Sequence, residues 1–159
     1  LLPSEVAGRP VKVLLAGDGP ERGRLEKLAA ELGISERLVF TGWIDDPALC
    51  YGSADLFVCP SVHEPLGNVV LEAWSHRLPV VSTRSQGPSE YMHDGEDGWM
   101  VPIGDPGAMA SAIVDALAAS DATRRAMGEA GRAQVEQHHS RDGVTAQYLE
   151  LYASLSAGR

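Results

Sequence analysis

Short apolar runs alternate with stretches of helical periodicity along the whole chain, and this alternation limits the possible folds more than any other feature. Between the runs, apolar residues recur every three or four positions, which is typical of amphipathic helices. Strands that alternate with helices form mostly parallel sheets covered by helices on both faces. The sequence therefore predicts an α/β fold with a Rossmann-like, mostly parallel sheet. The runs that we interpret as strands are 11–16, 38–40, 56–59, 79–83 and 99–101.

Helix boundaries are indicated by capping and helix-breaking residues. The helix after the first strand is predicted to have Pro20 as its first residue and to stop at Gly33. Proline suits the first helical position because the N–H that it lacks would have no partner there. A later helix is predicted to begin at Asp105, an N-cap residue followed by such a proline.

The last part of the chain is predicted to be helical. A long amphipathic helix is expected near residues 123–138, and Ser140 is expected to cap a final one. We therefore divide the chain into a domain of residues 1–138 and a C-terminal helix, 139–159, that packs on or beyond it. The first four residues resemble the end of a helix, so the chain is expected to be a fragment of a longer protein.

Composition excludes several classes of function. The formal net charge is −9, from 13 basic and 22 acidic side chains, which argues against general nucleic-acid binding and against binding to an anionic membrane. Cys50 and Cys59 lack the spacing of a disulfide framework or a metal site, and Cys59 is expected in the core. We find no signal peptide and no apolar run long enough to span a bilayer, so we expect a cytoplasmic protein.

Two carboxylates flank the start of the helix that follows the third strand. Glu64 precedes the helix, Gly67 begins it, and Glu72 lies in its second turn. In open α/β sheets, ligands bind at the C-terminal ends of the strands, and unpaired N–H groups in the first turn of a helix suit phosphate. Carboxylates accept hydrogen bonds from sugar hydroxyls. Phosphate and hydroxyl groups together indicate a nucleotide sugar.

Residues 60–73 read Pro-Ser-x-x-Glu-Pro-x-Gly-x-x-x-x-Glu-Ala, with seven residues between the two glutamates. This pattern resembles the signature of retaining glycosyltransferases of the GT-B fold, family 4. The likeness continues through the glycine turn of 14–20, through 39–43 and through 79–102, in the order expected for the family. It implies that the chain is the C-terminal, donor-binding domain of a GT-B enzyme.

The resemblance implies a role for each matching residue. Glu64 is the implied catalytic residue, which contacts hydroxyls of the transferred sugar and stabilises charge near its anomeric carbon. Glu72 binds the ribose hydroxyls. The main chain at 66–69 holds the diphosphate, and the ends of the first two strands make room for the nucleotide and cradle its base. The implied donor-binding residues are Gly17, Gly19, Phe40, Gly42, Trp43, Leu66, Gly67, Asn68, Val69 and Glu72.

The resemblance also implies what else the enzyme needs. The substrate is a nucleoside-diphosphate sugar of the UDP or GDP type, with no metal and no cofactor, and the acceptor is a glycan or a lipid-linked sugar. The family's diphosphate-clamping Arg and Lys lie on a first strand and helix that nothing in this chain matches, and the N-terminal acceptor domain is missing too. We therefore expect no turnover from this chain alone, and a place at the inner face of the membrane only through the parent protein.

Three other interpretations stay open. Gly17-Asp18-Gly19 after a strand also suits a dinucleotide site, although the acid expected at the end of the next strand is absent. A sugar-nucleotide epimerase of the same architecture would need further acids and a histidine for proton handling. A module that binds a nucleotide without catalysis is the third possibility.

Overall fold

The computed structural model describes residues 1–157, in which strands and helices alternate. The strands are β1 (Glu5–Val6), β2 (Arg9–Pro10), β3 (Val13–Ala16), β4 (Leu38–Gly42), β5 (Phe57–Cys59), β6 (Val80–Thr83) and β7 (Trp99–Val101). The helices are α1 (Arg22–Glu31), α2 (Ala48–Ser53), α3 (Asn68–Ser75), α4 (Gln86–Tyr91), α5 (Pro106–Ala118), α6 (Asp121–His138) and α7 (Arg141–Ala157). The predicted α/β fold is confirmed.

The five predicted strands form two parallel sheets rather than one. β3 pairs with β4, with Leu15 opposite Phe40. β6 lies between β5 and β7, with Val81 opposite both Val58 and Trp99. Within residues 1–157, no ladder of hydrogen bonds joins the two sheets. Because the strands of each sheet are parallel, the loops after them leave from one edge of that sheet, and these loops carry the candidate site.

The chain begins with a small antiparallel hairpin, β1–β2, that the sequence did not predict. The expectation of a helix end at residues 1–4 is wrong, since these residues are not helical. The hairpin turns at Ala7 and Gly8, whose φ angles are 50° and 76°. Alanine rarely adopts a positive φ, so this turn was not evident from the residue types.

The start of α1 also differs from the prediction. Pro20 is not helical, and the helix begins two residues later, at Arg22. The N–H of Arg22 donates to the carbonyl of Gly19 at 3.1 Å, so a turn precedes the helix. The predicted stop at Gly33 is confirmed, since its φ of 66° is a conformation that glycine adopts at low cost just after a helix.

Side chains cap the three C-terminal helices. Asp105 caps α5 and Ser140 caps α7, as predicted. α6 begins at Asp121, earlier than expected, because the hydroxyl of Ser120 accepts a hydrogen bond from the N–H of Thr123 at 3.1 Å. The proposed division of the chain between α6 and α7 stays a prediction.

The main core surrounds Trp74 of α3, which is fully buried. Its indole N–H donates to the carbonyl of Asp97 at 3.1 Å. α6 crosses α3 at Gly131, where an added Cβ would lie 2.5 Å from Cγ of Trp74, so only glycine fits without movement. The predicted burial of Cys59 in this core is confirmed. The packing fixes the position of α3, which carries one of the two candidate acids.

Burial is uneven across the molecule. Leu14 on β3 and Val39 on β4 are 40% and 49% exposed, whereas Val80 and Val81 on β6 are fully buried. An open, largely apolar groove of about 580 Å³ runs between the first sheet and α5. The sheet of β3 and β4 is therefore held to the rest of the molecule by fewer buried contacts than the sheet of β5 to β7.

α7 also contributes little to the core. It packs against α6, while five of its large apolar side chains are more than half exposed. No helix within residues 1–157 is both long enough and apolar enough to cross a membrane. The five side chains of α7 that are more than half exposed are Tyr148, Leu149, Leu151, Tyr152 and Leu155.

Candidate functional site

Gly67 is the N-cap residue of α3 and has a left-handed conformation, with φ 79° and ψ 34°. The carbonyl of Gly67 accepts hydrogen bonds from the N–H of Val70 at 2.9 Å and from the hydroxyl of Tyr91 at 3.0 Å. A Cβ at Gly67 would overlap that hydroxyl and would lie 3.1 Å from Cδ of Pro88. Both the backbone conformation and the available space therefore require glycine here.

The N–H groups of Asn68 and Val69 open the first turn of α3. Neither group has an acceptor among the residues that the structure describes. Both residues are exposed, and the first turn contains no acidic side chain. Unpaired amides at the positive end of a helix dipole attract anions, so this turn can bind a phosphate group, as the sequence predicts.

Glu64 is half-buried just before this turn. Its Oε1 accepts a hydrogen bond from the N–H of Gly67 at 3.1 Å. The N–H of Gly67, one of the amides expected to bind the diphosphate, is therefore already bonded within the protein. Leu66, which lies between Glu64 and Gly67 in the sequence, is 59% exposed. The contact places the Glu64 carboxylate at the start of α3, beside the unpaired amides.

α4 holds the Glu64 loop through two residues whose contacts the sequence did not reveal. Oε1 of Gln86 accepts from the N–H of Glu64 at 3.3 Å, and Nε2 of Gln86 lies 3.0 Å from Nδ1 of His63. The N–H of Gly87 donates to the carbonyl of Glu64 at 2.9 Å. A Cβ at Gly87 would lie 2.7 Å from Cα of Leu66, so the close approach of α4 to the Glu64 loop depends on glycine.

Glu72 lies one turn further along α3 and is exposed. Its Oε2 accepts a hydrogen bond from the hydroxyl of Tyr51 on α2 at 2.9 Å. Burial, and to a smaller extent this hydrogen bond, raises the pKa of Tyr51 well above its usual value. The phenol therefore stays protonated and donates the hydrogen bond. Tyr51 is not among the predicted site residues, because no local sequence pattern shows how α2 packs against α3.

The glycines at the ends of β3 and β4 meet each other. The N–H of Gly17 donates to the carbonyl of Gly42 at 3.0 Å, and the two residues have φ angles of 119° and 69°. The N–H of Gly19 donates to the carboxylate of Asp18 at 2.8 Å, so this acid holds its own turn. Gly17 and Gly19 therefore leave an open, side-chain-free surface at the C-terminal edge of the first sheet.

Two aromatic residues lie at the same edge. Phe40 is half-buried, with the Arg22 guanidinium 5.9 Å from its ring centroid. Arg22 is also paired with Glu26 at 2.9 Å. Trp43 is 80% exposed and donates through its indole N–H to Asp45 at 3.1 Å.

The sequence-predicted residues thus form two groups, one on each sheet. Glu64, Leu66, Gly67, Asn68, Val69 and Glu72 come together at α3, and Gly17, Gly19, Phe40, Gly42 and Trp43 come together after β3 and β4. No hydrogen bond or ion pair within residues 1–157 joins the two groups. Within the same residues, no cluster of three or more His, Cys, Asp or Glu side chains is suited to a metal ion.

Comparison with known proteins gives a family match over most of the chain. The family model described as glycosyl transferases group 1 matches residues 2–119. The lipopolysaccharide core biosynthesis glycosyltransferase LpsE of Rhizobium meliloti (strain 1021) is 47% identical over 144 residues. That match covers 91% of this chain and 42% of LpsE, so the chain spans less than half the length of this relative.

Solved structures show the same fold. Sucrose-phosphate synthase from Thermosynechococcus elongatus superposes with a TM-score of 0.84 at 33% identity, over 93% of this chain and 39% of the enzyme. Anabaena HepE in complex with UDP superposes with a TM-score of 0.82 at 24% identity, over 91% of this chain and 41% of HepE. At this level of identity the superposition shows that the two chains share a fold. The family match and these folds together show that the chain belongs to the glycosyl transferases group 1 and shares its α/β architecture with GT-B glycosyltransferases.

Proposed function

We propose that this chain is the donor-binding part of a retaining glycosyltransferase of family 4 and that it binds a UDP or GDP sugar. The observation that carries this proposal is the start of α3, where the unpaired amides of Asn68 and Val69 lie between Glu64 and Glu72. The relatives support it, since LpsE is named as a glycosyltransferase of lipopolysaccharide core biosynthesis and HepE was solved with UDP. A glycan or lipid-linked acceptor is the corresponding proposal for the whole protein.

The amides of α3 would act on the diphosphate. During transfer, the bond from the anomeric carbon to the diphosphate oxygen breaks and a bond to the acceptor oxygen forms, while the proton of the acceptor hydroxyl passes to the departing diphosphate. Negative charge develops on the departing diphosphate as the first bond breaks. The N–H groups of Asn68 and Val69 belong to exposed residues and have no acceptor among residues 1–157, so they are free to stabilise this charge.

The two glutamates would act on the sugars at either end of the diphosphate. Glu64 would accept hydrogen bonds from hydroxyls of the transferred sugar and stabilise positive charge near its anomeric carbon. Glu72 would accept hydrogen bonds from the ribose hydroxyls. An ionised carboxylate has only acceptor sites, which match the donor hydroxyls of a sugar.

Binding by this chain alone should be weak. The net charge of −9 opposes an anionic ligand, and the Arg and Lys that the family uses to clamp the diphosphate match no segment of the chain. We therefore expect nucleotide binding without turnover.

Titration calorimetry against UDP, GDP and ADP tests the proposal, with Glu72→Ala as the variant. Loss of a hydrogen bond to a charged group costs roughly 1.5–3 kcal/mol, so we expect about a tenfold or greater loss of affinity. Glu36→Ala is the matched control, because Glu36 is an exposed acid before β4, at the opposite edge of the sheet. It makes the same change in charge, so it also corrects for the weaker repulsion of the ligand.

Three outcomes would contradict the proposal. Binding of none of the three nucleotides would remove its basis. Equal affinities of the Glu72→Ala and Glu36→Ala variants would exclude the ribose role of Glu72. Tight binding of NAD in a fluorescence titration would favour the dinucleotide interpretation of the turn at Gly17.

A further inference from the structure

Tyr51 connects α2 to the candidate ribose-binding acid. Its hydroxyl donates to Oε2 of Glu72 at 2.9 Å across 21 residues of sequence. The ring stacks on the imidazole of His76, with centroids 5.2 Å apart and an interplanar angle of 23°. Its edge contacts Phe57 of β5 at 5.6 Å, so aromatic contacts hold the ring and thereby fix the position of the hydroxyl.

The direction of this hydrogen bond is fixed by chemistry. The raised pKa of Tyr51 keeps its phenol protonated, and an ionised carboxylate can only accept. The bond occupies one acceptor site on Oε2 of Glu72, and a carboxylate has about four such sites on its two oxygens. Enough sites remain for the two hydroxyls of a vicinal diol.

Glu72 itself has little else to hold its side chain. The residue is exposed, and its carboxylate forms no ion pair within the part of the chain that the structure describes. An exposed glutamate ordinarily samples several rotamers, and fixing them on binding costs entropy. The Tyr51 hydroxyl fixes the carboxylate before a ligand arrives.

We propose that Tyr51 is a positioning residue that pre-orients Glu72 for the cis diol of a ribose and so makes the site prefer a ribonucleotide to its 2′-deoxy counterpart. This inference rests on the proposed function, because it takes Glu72 as the ribose acceptor. It adds Tyr51, which lies outside the Glu-x7-Glu pattern, to the site. It also assigns the site a preference for ribose over deoxyribose, which the pattern alone does not predict.

Calorimetry with ribose and deoxyribose nucleotides tests the inference on the 159-residue chain. The probes are UDP and dUDP, or the corresponding pair of GDP or ADP if that diphosphate binds more tightly. Tyr51→Phe keeps the ring and removes only the hydroxyl. We expect the ribose over deoxyribose affinity ratio to fall about fivefold, a loss in keeping with a charge-assisted hydrogen bond that acts indirectly. Affinity for dUDP should stay nearly constant.

Tyr91→Phe is the matched comparison. Tyr91 is also partly buried, but its hydroxyl donates to the carbonyl of Gly67 rather than to Glu72. Any loss in this variant should affect UDP and dUDP equally and leave their ratio unchanged. In a Glu72→Ala background, Tyr51→Phe should have no further effect on the ratio, since Tyr51 acts through that carboxylate.

The possible results separate the inference from the proposed function. A wild-type chain that binds no nucleoside diphosphate overturns both. A wild-type chain that prefers UDP, combined with a Tyr51→Phe variant that keeps the full preference, overturns the inference alone. If circular dichroism shows that Tyr51→Phe does not fold, Glu72→Asp replaces it, because aspartate withdraws the carboxylate from Tyr51 by one methylene. Glu72→Asp must then lower the ratio of UDP affinity to dUDP affinity. An unchanged ratio in this variant overturns the inference.

Discussion

Replacement of Gly67 by alanine should destabilise the protein far more than the addition of one methyl group suggests. The φ of 79° costs an L-residue roughly 1–2 kcal/mol. The new Cβ would overlap the Tyr91 hydroxyl and crowd Cδ of Pro88 at 3.1 Å, and overpacking of this kind costs about 1–3 kcal/mol. The reduced freedom of the unfolded chain returns about 0.4–1 kcal/mol. We expect the free energy of unfolding to fall by about 3 kcal/mol in total.

Gly95→Ala is the control for this experiment. Gly95 has a φ of 83°, but an added Cβ would meet no atom within 4 Å. It bears the conformational cost without the crowding, so we expect a loss of about 1 kcal/mol. Equilibrium unfolding in urea measures both values, and equal m-values would show that only stability has changed.

The comparison can refute the reasoning. If Gly67→Ala is no more destabilising than Gly95→Ala, the Tyr91 and Pro88 contacts do not restrict the start of α3. The folded fraction of the Gly67→Ala variant should also lose nucleoside diphosphate binding, because the shift that relieves the overlap moves the amides of the first turn. Retained binding would show that the amides of the first turn of α3 do not depend on Gly67 for their position.

Two further predictions concern packing and pH. Gly131→Ala should lower the free energy of unfolding, measured in urea, by about 3 kcal/mol, because the new Cβ would overlap Trp74. Gly23→Ala on α1 is the control: its Cβ would meet no atom within 4 Å, so this variant should be more stable than the wild type. Equal changes in stability in the two variants would contradict the prediction. A hydrogen bond to Asp97 raises the pKa of His93, whereas burial lowers the pKa of His139. Below a pH of about 6.5, His93 therefore adds stability and His139 removes it. Acidification should lower the Tm more in His93→Gln and less in His139→Gln than in the wild type, and the opposite order would refute the assignment.

Local patterns predicted the elements that carry the site. Alternating apolar runs gave the strands, and Gly67 and Asp105 gave the starts of two helices, because strand periodicity and helix capping depend on residues close in sequence. Pro20 shows the limit of such signals. It suits a first helical position, yet the turn from Gly19 to Arg22 displaces the helix start.

Tertiary contacts of the candidate site could not be predicted in the same way. The bond from Tyr51 to Glu72 spans 21 residues, and that from Gln86 to Glu64 spans 22. Both depend on how separate elements pack, which no spacing rule states. The division into two sheets is likewise a matter of pairing between distant strands, so a pattern that predicts strands cannot reveal it.

The seam between the two parallel sheets has a mechanical consequence. The loops after Gly17 and Gly42 belong to one sheet, while the α3 amides and Glu72 are anchored to the other. Because no ladder of backbone hydrogen bonds within residues 1–157 crosses this seam, the two sheets can shift against each other without breaking a strand pairing. Such a movement would let the proposed donor site accept nucleotides of different lengths.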